Sequence, residues 1–212
     1  MGPCTELMGQ AAKLEEIRPG RNLRVLHLPN KTSQVTLFFI HDACASMEQF
    51  SSLVEILKQD YNIVAYDNYG CGKSESPCSN EKDYSTSQHS QDLLEVFNKY
   101  GTFVNIVVGF GHGSSLAMRL ATVFTGRNVE GLVLIGSSLH VKEGYSSLYN
   151  LPLPVFSWMR GLMARYFAYK SYSWFGTAAL KGRARALAAR GPAFAARATC
   201  RQMRWAREDH LR

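Results

Sequence analysis

With 212 residues, 46% of them hydrophobic, the chain can bury one sizeable core and is too short to expect two full domains. Charged residues make up 19% and aromatics 11%, with only 7 prolines, which excludes wholesale disorder. The five cysteines (Cys4, Cys44, Cys71, Cys78, Cys200) form no close CxxC pair, which argues against a disulfide scaffold and a zinc site.

No metal or other cofactor is expected, and a reducing, cytoplasmic compartment fits this cysteine usage. The start, M-G-P-C-T-E, lacks the basic segment and apolar run of a secretory signal. No uninterrupted apolar stretch approaches the roughly 20 residues that span a bilayer. The net charge of +7 is uneven: from Val141 onward there are 13 Lys/Arg against 3 acids, and before it 11 against 14. Without a helix-turn-helix, zinc knuckle or RNA-binding sheet signature, this basic region reads as a solvated helical face, and nucleic acid is not an expected partner.

In chain order, Asn22 to Leu28 alternates apolar and polar residues as a half-buried strand does, and Pro29-Asn30 ends it. Gln34 to Ile40 (Q-V-T-L-F-F-I) is more continuously apolar, as a strand covered on both faces would be. Met47 to Leu57 places Phe50, Leu53, Val54 and Leu57 at helical spacing. Tyr61 to Tyr66 reads as another buried strand. After the polar, glycine-bearing loop Asp67 to Tyr84, Ser85-Thr86-Ser87-Gln88 offers caps for a helix through Leu93, Leu94, Phe97 and Tyr100. Phe103 to Val108 predicts a strand, Ser114 to Phe124 a helix, and Val129 to Ile135 a further strand. This βα alternation predicts an α/β fold with a mainly parallel sheet and flanking helices, because parallel neighbours need a crossover that covers the sheet. From about residue 141 no strand is evident, and residues 141–212 read as a helical, aromatic and basic region following residues 1–140. Its Ala/Arg segment is broken at Gly191-Pro192.

The corner V-V-G-F-G-H-G-S-S, Val107 to Ser115, joins an apolar strand to a small-residue helix through closely spaced glycines. Together with L-F-F-I-H at Leu37, A-Y-D-N-Y-G-C-G-K-S at Ala65 and G-L-V-L-I-G at Gly131, it resembles the α/β-hydrolase fold and, within it, the abhydrolase-domain proteins. The resemblance implies a nucleophile elbow, G-x-S-x-G, in which one oxyanion amide follows the serine and a second comes from the loop after the His-Gly strand. Laid onto this chain, the elbow is Gly109-Phe110-Gly111-His112-Gly113, with Gly111 in the place of the serine; Ala43 and His112 take the oxyanion-hole positions. Glycine has no side chain with which to attack, which removes the covalent route. Ser114 and Ser115 are the remaining nucleophile candidates, already turning into the helix, where a hydroxyl can simply bond the backbone.

Where the family has His-Gly, the chain reads His41-Asp42-Ala43-Cys44, and a carboxylate at Asp42 would repel the charge an oxyanion hole exists to stabilise. The family's acid and histidine follow later strands, and none is placed here before Arg212, which implies a chain ending within the cap with one sheet edge open. Asp67 and Ser74 in the D-x-x-G-x-G-x-S loop read as structural. Three functions remain. The first is a catalytically silent protein that binds a lipid or acyl ligand, a membrane surface or a protein partner. Its candidate contact residues are His41, Asp42 and, in L-P-L-P-V-F-S-W-M-R-G-L-M-A-R-Y-F, Trp158, Arg160, Arg165 and Tyr166. The second is an acyl-ester or lipid hydrolase with an unrecognised nucleophile, and the third a truncated, non-functional isoform.

Overall fold

The computed structural model describes residues 8–43, 45–75, 81–123 and 128–137. The expected helical region 141–212, with Trp158, Arg160, Arg165 and Tyr166, lies outside them.

Six strands, β1 (Lys13–Arg18), β2 (Arg21–Leu28), β3 (Val35–Ile40), β4 (Asn62–Tyr66), β5 (Val104–Phe110) and β6 (Val129–Ile135), form one sheet in the order β1-β2-β4-β3-β5-β6. The β3–β4, β3–β5 and β5–β6 pairs are parallel, and the β1–β2 and β2–β4 pairs antiparallel. The expected α/β class, with a mainly parallel sheet, therefore holds.

The parallel strands are apolar on consecutive positions because each feeds two cores, one per sheet face. Phe38, Ile40, Val64 and Tyr66 point to one side, where Leu93, Val96 and Phe97 of helix α2 (Thr86–Tyr100) and Leu116, Ala117 and Leu120 of helix α3 (His112–Val123) cover them. Leu37, Phe39, Ile63 and Ala65 point to the other side, against Met47, Phe50 and Val54. The last of these lies on helix α1 (Ser51–Leu57), which continues a 3-10 turn over Met47–Phe50. Burying each such large side chain contributes roughly 1.5–3 kcal/mol. Helix α2 begins as its caps predict, with the Ser85 hydroxyl accepting from the Gln88 amide at 3.3 Å.

Three elements differ from the sequence expectation. Strand β1, K-L-E-E-I-R, is an edge strand with Leu14 exposed, so its pattern carries little apolar signal; Pro19-Gly20, with Gly20 at φ +71°, turns it back onto β2. Strand β5 runs two residues farther than Val108, and helix α3 starts at His112 instead of Ser114, so the corner between them is a single residue, Gly111. At the far side of the sheet β6 is an edge among the described residues, and Leu132, Val133 and Leu134 stay partly exposed on its two faces.

Candidate functional site

The C-terminal ends of β3, β4 and β5 converge at the Gly111 corner. Gly111 adopts φ +56°, a left-handed conformation that glycine takes without steric cost. Its two glycine neighbours are fixed by close approach. A Cβ at Gly109 would lie 2.6 Å from the Gly113 carbonyl, and one at Gly113 would lie 2.2 Å from the Ile40 carbonyl. The G-x-G-x-G spacing is thus what lets α3 leave β5 in a tight turn while lying against the end of β3.

What occupies the apex is the main departure from the family pattern. A Cβ at position 111 would fall 2.1 Å from Asp42 Oδ1 and 2.3 Å from its carboxyl carbon. The Asp42 carboxylate therefore stands in the volume where an elbow side chain would begin. Its Oδ1 accepts hydrogen bonds from the amides of Ala43 and His112, each at 2.7 Å. These are the two amides that the resemblance places in the oxyanion hole. Asp42 does more than sit near that hole as an unfavourable charge: it is bonded into it, at the N-terminus of α3, where a negative group is favoured.

Ser114 and His41 are tied into the backbone. Ser114 is fully buried, and its hydroxyl donates to the Gly109 carbonyl at 2.9 Å, closing the elbow turn. Ser115 lies one residue farther along α3 and is partly exposed. His41 is completely enclosed among the described residues. Its Nε2 accepts from the Asn68 amide at 2.8 Å, which fixes the proton on Nδ1, and Nδ1 donates to the Asp42 carbonyl at 2.6 Å. Burial holds its pKa below the ordinary range despite the attraction of Asp67. It ties the loop after β3 to the loop after β4. Asp67 orders that second loop: its Oδ1 accepts from the Met47 amide and its Oδ2 from the Lys73 amide, each at 2.8 Å. Ser74 donates to the Asp67 carbonyl and accepts from the Arg24 amide, as its structural reading requires.

Beside Asp42 a small pocket is lined by Ala43, Asn68, Cys71, Tyr84, Thr86, His89 and His112, with room for little more than a water molecule. Sequence reasoning missed His89, which reads only as a polar position on α2. In the structure it is buried, its ring lies edge-on to His112 with centroids 6.4 Å apart, and its Nδ1 has no hydrogen-bond partner among the described residues. Desolvation holds its pKa well below the ordinary 6.5, with His112 and Arg21 lowering it further.

A pH dependence follows from His41 and His89. Both have a folded-state pKa held below the 6.5 of the unfolded chain, so the fold takes up these protons less readily. Their contribution is present above that value and is lost as pH falls below it, by up to about 1.4 kcal/mol per pH unit for each group. Urea unfolding at about pH 7 and about pH 5.5 is expected to show lower stability at the acid value, with a smaller loss in His89→Gln. Equal losses in the two proteins would contradict the role given to His89.

No group of His, Cys, Asp and Glu among the described residues could hold a metal ion, and no described helix is long and apolar enough to cross a membrane.

Residues 35–204 match the family model described as the alpha/beta hydrolase fold. A proline iminopeptidase of Thermoplasma volcanium is 27% identical over 113 residues, which are 50% of this chain and 37% of that protein, so the chain spans well under half of this relative's length. Among solved structures, ALR0039 of Nostoc sp. PCC 7120 superposes with a TM-score of 0.70 at 22% identity, covering 94% of this chain and 75% of its own. A hydrolase of Pseudomonas aeruginosa PA01 gives 0.63 at 18% identity, covering 92% and 69%. At such identities the structural likeness speaks for the fold alone. The single-glycine elbow at the end of a central parallel strand and the family match over most of its length agree: this chain belongs to the alpha/beta hydrolase fold family.

Proposed function

We propose that this protein keeps the hydrolase scaffold without serine-type acyl transfer and acts by binding, with a lipid or acyl group as the ligand. The observation that carries this reading is the Asp42 carboxylate seated on the Ala43 and His112 amides, over an apex that bears no side chain. Acyl transfer needs a nucleophile at that apex and two open donors for the developing oxyanion. Here the first is absent and the second are already used. Ser114 does not supply the nucleophile, because its hydroxyl is committed to the Gly109 carbonyl inside the elbow.

The ligand class rests on the family resemblance and on the aromatic and basic stretch around Trp158, Arg160, Arg165 and Tyr166, whose composition suits acyl chains or headgroups at a membrane surface. A cytoplasmic protein with peripheral membrane contact fits this reading. Lipid extraction and mass spectrometry of the purified protein test it. A defined acyl lipid, enriched over a control protein purified in parallel, is the expected result. An extract identical to the control would overturn the ligand assignment.

A further inference from the structure

The Asp42 seat has a consequence for what the hole binds, and it rests on the non-catalytic reading above. Two amides from separate segments, Ala43 after β3 and His112 at the start of α3, converge on one carboxylate oxygen at 2.7 Å each. Both donors are held in place independently of Asp42's side chain. The loop is tied down through His41, and α3 is fixed by the close approach of Gly113 to the Ile40 carbonyl. A pair of fixed amides at the positive end of a twelve-residue helix is a preorganised anion site. The wall beside it carries a buried polar atom, Nδ1 of His89, that has no hydrogen-bond partner among the described residues, in the pocket that Ala43 and His112 also line.

We propose that the Ala43 and His112 amides form a carboxylate-binding site whose resident ligand is the side chain of Asp42. A carboxylate from outside competes with a tethered group at high effective concentration and is excluded while Asp42 is present. Gly111 belongs to the same device. A side chain there would meet the seated carboxylate, so the loss of the elbow side chain and the presence of Asp42 are two halves of one arrangement. A ligand's ester carbonyl or carboxylate accordingly finds no donors at this hole, and an acyl ligand of this protein is recognised through its apolar part.

The test uses the full chain, labelled with 15N, and sodium acetate as the probe. In Asp42→Gly the seat is vacated, and acetate is expected to shift the Ala43 and His112 amide signals saturably, in the millimolar range. Sodium chloride at equal ionic strength should not reproduce the shift. The wild type, and Asp42→Asn, which keeps an acceptor of the same shape in the seat, should show at least a tenfold weaker response. Should Asp42→Gly not give a dispersed spectrum, Asp42→Ala carries the same comparison. A folded variant without Asp42 whose two amides ignore acetate would overturn the proposal, and so would a wild-type response equal to the variant's. Neither outcome depends on whether lipid co-purifies, so failure here is separable from failure of the binding function.

Discussion

Gly111→Ser, which writes the family's nucleophile back into the elbow, is expected to destabilise the protein by about 2–4 kcal/mol and to yield no esterase activity. The left-handed backbone at φ +56° is the smaller part of that cost. The larger part is steric, since the new Cβ would lie 2.1 Å from Asp42 Oδ1 and must push the carboxylate off the Ala43 and His112 amides. Because the penalty belongs to a pair, combining Gly111→Ser with Asp42→Gly should recover most of it. Urea unfolding of the two single variants and the double variant gives the coupling, expected at about 2 kcal/mol in the direction of mutual rescue. Additive effects would mean that Asp42 does not occupy the apex in solution.

Asp92→Ala should have the largest effect of any single truncation on the α2 face, a loss of about 3–5 kcal/mol in the same measurement. Asp92 is fully buried and accepts from Nε of Arg18 at 2.8 Å and from Nε of Arg21 at 2.7 Å, with an end nitrogen of Arg21 at 2.5 Å. Arg21 is itself buried and lies over the Tyr69 ring, with its guanidinium carbon 3.8 Å from the centroid. Removing the carboxylate takes the shared acid from the buried Arg21 and the part-buried Arg18. The clamp also joins the β1–β2 hairpin to the helix that carries His89 three residues earlier, so the pocket wall should loosen along with the fold. A loss under about 1 kcal/mol would show that water or relaxation compensates the arginines.

Both effects depend on partners far apart in the sequence, and that separation decides what could be read from the residues alone. Consecutive apolar positions in V-T-L-F-F-I and N-I-V-A-Y announce strands covered on two faces, and the glycine spacing around Phe110 announces the elbow, because these are local patterns. Asp42 is legible as the wrong residue beside an oxyanion hole. Its seat inside the hole is not, because that seat exists only once the loop after β3 meets the first turn of α3, 70 residues on. Asp92 looks like one more polar position on an amphipathic helix until β1 and β2 bring two arginines to it from more than 70 residues away. For His41, its place after an apolar strand is local and visible, whereas its two backbone bonds across the loops are not. Strand β1 escaped because an exposed edge strand has no apolar alternation to show.

Among the described residues the elbow turn, the start of α3 and the two converging amides are all present, and the Asp42 carboxylate is seated where an elbow side chain would begin. Intact-mass spectrometry after incubation with a fluorophosphonate tests the proposed absence of serine-type acyl transfer most directly, because the reagent bonds irreversibly to activated serine hydroxyls. The account predicts an unchanged mass at reagent excess. A stoichiometric adduct that maps to Ser114 or Ser115 and disappears on its substitution by alanine would contradict it.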